Sequence, residues 1–244
     1  MGIEAAKDNL PEQGEGTGVV TDAAAIVRFG IGGPLRFLSH AETVRVFERA
    51  CGRAGVPVKY TQGFNPHVRM SLPLPRAVGV ASHDERLVLR LFEAEGFPLA
   101  PSAQAERLAW ETRIAAQLAA VLPDAIVVHS VTLTQSRTSH RPESAQYVLA
   151  LGEGADRGLQ ERMDAVMARE DVVLDRIKPD RPARSVDVRP FLKSMTLEGR
   201  QATVECAISN AGTVRVDEIL TLLGLTPMDL AGPIRRTHTT WKTT

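Results

Sequence analysis

The sequence predicts an α+β fold made of two tandem ferredoxin-like units, each a β-α-β-β-α-β run with an antiparallel sheet. Three observations predict it. Apolar spacing switches between a period of two and a period of three to four along the 244 residues. Taken in outline, the segments so marked fall in the order β-α-β-β-α-β up to Thr134, and again after Ser144. A polar stretch separates the two runs. The expected organisation is a disordered polar tail over 1–22, a first unit over 23–134, a linker over 135–144 and a second unit over 145–244.

In the first unit, Ala25 to Phe29 reads as a strand, followed by a glycine-rich turn and a short β segment at Leu35 to Leu38. Ser39 and Glu42 have capping-box spacing, so a helix opens there. Val44, Phe47, Cys51 and Ala54 lie on one face of it, and Gly55 with Pro57 ends it. Val58 to Tyr60 is a strand. Gly63-Phe64-Asn65-Pro66 is a turn, because Gly and Asn-Pro disfavour regular structure. Val68 to Leu72 and Arg86 to Phe92 alternate as strands. Ala103 to Leu122 is an alanine-rich helix, and Asp124 to Thr134 is the last strand of the unit.

In the second unit the strands are Gln146–Leu151, Val172–Ile177, Ser185–Val188, Ser194–Leu197, Gln201–Ile208 and Ile234–Trp241. The helices are Leu159–Ala168 and Val216–Leu223. The halves share no obvious sequence repeat.

Composition excludes several classes. Lys+Arg and Asp+Glu are both 29, so this is neither a histone-like basic protein nor an acidic tail protein. Two cysteines, Cys51 and Cys206, exclude a disulfide scaffold and an all-cysteine metal or iron–sulfur site within the chain. No apolar run is long enough to span a membrane, and the N-terminus has no secretory h-region. A cytoplasmic protein is expected.

The charge is nevertheless segregated. Pro34 to Arg76 holds seven bases against two acids, and Arg176 to Arg200 seven against three. Arg45, Arg49 and Arg53 recur every four residues and form one stripe on the first helix. They read either as a solvated face or as contacts to phosphates, together with Arg184, Arg189, Arg235 and Arg236.

Two segments, Gly33 to His40 and Tyr60 to Ser71, are dense in polar and special residues. Three readings stay open for them. They are structural turns and caps; or they bind an anion or an RNA phosphate through Arg36, Ser39, His40, Asn65, His67 and Arg69, with Tyr60 or Phe64 free to stack a base; or His40 or His67 acts as an acid–base catalyst. No nucleophile stands in a recognisable context, and two histidines without a third ligand do not make a metal site. The binding reading requires the two segments to fold together onto one concave wall.

These same residues carry a resemblance. Gly33-Pro-Leu-Arg-Phe-Leu-Ser-His40, the helix Val44 to Ala50, Gly55-Val-Pro-Val and Gln62-Gly-Phe-Asn-Pro-His67 resemble the bacterial radical-SAM-linked domain of unknown function. Pro73-Leu-Pro75, Val78-Gly-Val80, Ser185 to Pro190 and Ile234 to Thr237 are similar to its other motifs; Val68 departs from its usual basic or proline residue. The resemblance implies a partner, a cobalamin-type radical SAM protein, which would carry the iron–sulfur cluster, S-adenosylmethionine and cobalamin. No cofactor is expected in this chain, which lacks the Cys-x3-Cys-x2-Cys motif. The function expected is that of a non-catalytic, RNA-binding or substrate-presenting accessory protein. The alternatives are a subunit acting on an anionic small molecule or protein through His40 and His67, and a protein-interaction scaffold.

Overall fold

The computed structural model describes residues 23–92, 98, 101–135, 139–178 and 181–243. The expected tail over 1–22 lies outside them. The first half runs β1 (Ala23–Ile31), α1 (His40–Ala54), β2 (Met70–Ser71), β3 (Ala81–Leu91), α2 (Gln104–Ala119) and β4 (Ile126–Gln135). The second runs β5 (His140–Ala150), α3 (Leu159–Met167), β6 (Val173–Lys178), β7 (Arg181–Asp187), β8 (Leu192–Glu198), β9 (Gln201–Ala207), α4 (Val216–Leu223) and β10 (Arg235–Thr243). The fold is mixed α+β, with a large and mostly antiparallel sheet.

Local chemistry explains most of these elements. β1 is buried on both faces except at Arg28, as its apolar run requires. The Ser39 hydroxyl accepts from the Glu42 amide while the Glu42 carboxylate accepts from the Ser39 amide, so α1 starts at a complete capping box. Gly55 ends α1 in the left-handed region, at φ 65°.

The expected strand Val58 to Tyr60 makes only isolated bridges, the expected strand Val68 to Leu72 is reduced to Met70–Ser71, and three larger expectations change. Leu35 to Leu38 is not a strand: Gly33–Phe37 is a 3-10 helix, because Pro34 fixes a helical φ in the first turn and the Arg36 guanidinium closes onto the Gly33 carbonyl at 2.8 Å. Residues 140–144, expected in the linker, are strand. Their alternating polar residues extend β5 along β10 out to the His140–Thr243 pair.

The third change concerns the sheets. The two halves do not form separate antiparallel sheets. One sheet runs β4-β1-β3-β10-β5-β9-β8, with β2 also on β3; β6 and β7 make a small hairpin of their own. The joint is a short parallel pairing, Arg235 with Ala81 and Arg236 with Ser82. It exists because β2 covers only Leu89 and Val88 of the β3 edge. Prolines 73 and 75 lie just beyond β2 and cannot extend a ladder. The open start of β3 is therefore left to β10, which removes an exposed edge.

Two cores flank this joint. Phe29, Phe47, Leu87, Leu89, Ile114 and Leu118 centre the first, and Leu149, Leu159, Met163, Val204, Ile219 and Leu223 the second.

Candidate functional site

The arginine helix and the Tyr60–Arg69 loop come together. Phe47, Ala50 and Cys51 turn α1's apolar side into the core, leaving Arg45 and Arg49 exposed on the other. Arg53 is exposed too, but donates to the Val121 carbonyl at 2.9 Å. The loop is an irregular hairpin. The Thr61 amide donates to the His67 carbonyl, and the His67 amide donates to the Thr61 hydroxyl. Buried Val68 anchors it, so His67 and Arg69 on either side point outward. His67 Nδ1 lies 3.3 Å from Glu48 Oε1, which seats the loop against α1. Phe64 at the tip is fully exposed, Asn65 beside it is exposed, and Tyr60 is 43% exposed.

The Gly33–His40 segment has other neighbours. Arg36 lies over the Phe37 ring, 4.2 Å from its centroid. Ser39 is used by the helix cap. His40 lines a cavity of about 10 Å³ with Thr43, Arg76 and Glu85. Arg36 and Phe37 instead border a groove of about 730 Å³ where the halves meet. Val78, Gly79 and Val80 complete the first half's wall of this groove; Val216, Asp217, Leu220, Leu230 and Ile234 form the other. Its lining is mostly apolar, and Phe37 and Val78 are more than half exposed. The expected single wall is therefore divided into two neighbourhoods, one around α1 and one around the joint.

Two of the expected phosphate contacts are structural instead. Arg189 is structural: its guanidinium donates to the carbonyls of Met167, Arg169 and Leu192 and so ends α3. Arg236 is structural as well, buried with Glu85 and donating to the Leu74 and Pro75 carbonyls at 3.2 and 3.4 Å. Arg184 stays exposed on β7, opposite Arg176, whose own charge is satisfied by Glu218 at 2.6 Å. Arg235 is half-buried at the joint.

Both cysteines are buried. Burial pushes the thiols of Cys51 and Cys206 up to about 12. Among the described residues, no three His, Cys, Asp or Glu side chains are placed to share a metal ion. No described helix is long and apolar enough to cross a membrane.

One cluster is absent from the sequence reading. Arg86 and Arg90 of β3, His140 of β5 and Trp241 of β10 gather on the sheet, with the Arg86 guanidinium 4.7 Å from the centre of the Trp241 ring. Partial burial, with Arg86 and Arg90 alongside, holds the His140 imidazole below its usual range. The alternating Arg86-x-Val88-x-Arg90 pattern was the available signal: it puts both cations on one face of a strand.

A family model described as "Uncharacterized protein conserved in bacteria (DUF2344)" matches residues 25–217. The chain belongs to this family. The match spans α1, the Tyr60–Arg69 loop and most of the second half, and stops short of β10. No curated protein matches the chain. Among solved structures, one described as a "putative glycine cleavage system transcriptional repressor" aligns with 92% of this chain and 99% of its own. Its identity is 11% and its TM-score 0.23, and nothing of its fold or biology transfers to this family member.

Proposed function

We propose that this protein is a non-catalytic accessory subunit that binds RNA and presents it to a cobalamin-type radical SAM partner. The observation that carries the reading is the His67–Glu48 contact. It brings a loop with a fully exposed Phe64 and an exposed Arg69 onto the helix bearing Arg45 and Arg49. Single-stranded RNA is bound by this combination: cations track the backbone while an aromatic ring stacks a base. The Glu48 carboxylate, which would repel a phosphate, is instead engaged by an imidazole.

The partner's place in this reading is the apolar groove at the joint, where Phe37 and Val78 expose hydrophobic surface that a partner would cover. The same reading treats the halves as divergent copies of one ferredoxin-like unit. The strand order β4-β1-β3-β2 in the first and β10-β5-β9-β8 in the second supports it, because each is the fourth, first, third and second strand of its half once the β6–β7 hairpin is set aside.

The test is a salt series of binding to a single-stranded RNA by the full chain and by the Arg45→Glu/Arg49→Glu variant. The wild type should lose affinity steeply with salt, with a slope of about 0.7 per phosphate contact on a log–log plot. The charge-reversed variant should show little retention. Equal retention by both proteins, or none by the wild type at low salt, rejects the function.

A further inference from the structure

The sheet face opposite α1 and α2 carries a second cationic cluster. Odd residues of β1 and β3, such as Val27, Phe29, Leu87 and Leu89, pack into the first core beneath those helices. Alternation then turns Arg28, Arg86 and Arg90 to the other face. Here Arg86 lies over the Trp241 ring, and His140 sits close enough to Arg86 and Arg90 to feel both charges. Three strands, β3, β5 and β10, thus converge on one spot.

Among the described residues, several nitrogens at this spot have no hydrogen-bond partner. Arg86 Nε, Arg90 Nη1, both ring nitrogens of His140 and Trp241 Nε1 are shielded from solvent and make no hydrogen bond to any described residue. Buried donors are almost always paired, so a cluster of orphans calls for an explanation. The carboxylate at hand does not supply the acceptor. Asp84 is already taken by Arg28 at 3.1 Å and by the Thr239 amide at 3.0 Å.

We propose that Arg86, Arg90, His140 and Trp241 form a binding site for a phosphate monoester. Two guanidinium groups match a dianion in charge. Donors from an indole and an imidazole add directions that the two oxygens of a carboxylate would not fill, whereas a phosphate offers three terminal oxygens. The site lies across the sheet from α1 and does not rest on the RNA reading. A small phosphorylated molecule and the phosphodiester backbone of RNA share phosphate chemistry; the single charge of a diester matches this cluster less well.

The experiment follows Trp241 fluorescence in the Trp110→Phe variant, titrated with inorganic phosphate against sodium chloride of matched ionic strength. Expected is a saturable change with phosphate alone, at least about tenfold weaker in Arg90→Gln. Uridine monophosphate should compete, and a uridine dinucleotide bearing only an internal diester should not. Phosphate should also raise the Tm of the wild-type chain above the chloride control, a readout that stands even if Arg90→Gln fails to fold. No saturable change and no rise in Tm for the wild type overturns the site, and equal competition by the diester overturns the monoester.

Discussion

Arg236 of β10 and Glu85 of β3 form a buried ion pair across the joint between the two halves. The strands there share only a short parallel pairing, so side chains do much of the joining. The Ser82 hydroxyl on the Arg236 carbonyl and the Thr239 amide on Asp84 add to it. Both charged groups are almost wholly shielded, so each depends on the other for solvation.

Removing one member should therefore cost more than removing both. Arg236→Met leaves a buried carboxylate without its cation and should lower the unfolding free energy by about 3–5 kcal/mol. Adding Glu85→Leu should recover a large part of that loss. Urea unfolding of the single and double variants measures the difference. If the double variant is as unstable as the sum of the singles, the pair does not couple the halves.

Phe64 separates stacking from charge. It is fully exposed, so Phe64→Ala should leave stability within about 0.5 kcal/mol of wild type. Under the proposed RNA-binding function, its affinity for single-stranded RNA should be weaker by about 1–3 kcal/mol with the salt slope unchanged. Arg45→Glu/Arg49→Glu should flatten that slope. A Phe64 variant that binds RNA as wild type does would remove the loop from the interface.

Val78 tests the joint groove in the same way. The residue is 61% exposed and lines the apolar groove. If the proposed function holds, Val78→Glu should abolish co-purification with a co-expressed radical SAM protein while the isolated chain still binds RNA. Intact co-purification would place the partner elsewhere.

Features fixed by neighbouring residues were legible in the sequence. The Ser39–Glu42 cap, the Gly55 stop and the full extent of α4 follow from local spacing, and all are present. Features fixed by distant residues were not. Nothing near Arg236 or Arg189 in the chain says that one meets Glu85 and the other meets the end of α3, so both read as surface cations. The joining of the sheets was hidden for the same reason, since it depends on how little of β3 is covered by a two-residue β2. Arg86 and Arg90 fall between these cases: their common face is written in the alternation, but His140 and Trp241 reach them only through strand pairing.

Asp187 gives the fold a specific acid sensitivity. Its carboxylate accepts from the Val172 amide at 2.8 Å and from the Arg189 amide at 3.0 Å, just where Arg189 turns to end α3. Those two donors, with the Arg189 charge nearby, hold it below the usual carboxylate range. A group whose folded pKa is depressed contributes stability above its unfolded value, near 3.8, and that contribution disappears as pH falls through the folded value. Asp187→Asn should therefore have a lower Tm than wild type at pH 7, and the gap should narrow below about pH 4. Other depressed carboxylates, such as Glu42 and Asp229, are common to both proteins and cancel in the comparison. Thermal unfolding of the two chains at pH 7 and pH 3 measures the gap. A gap of the same size at both values would mean that Asp187 acts through the shape of its hydrogen bonds and not through its charge.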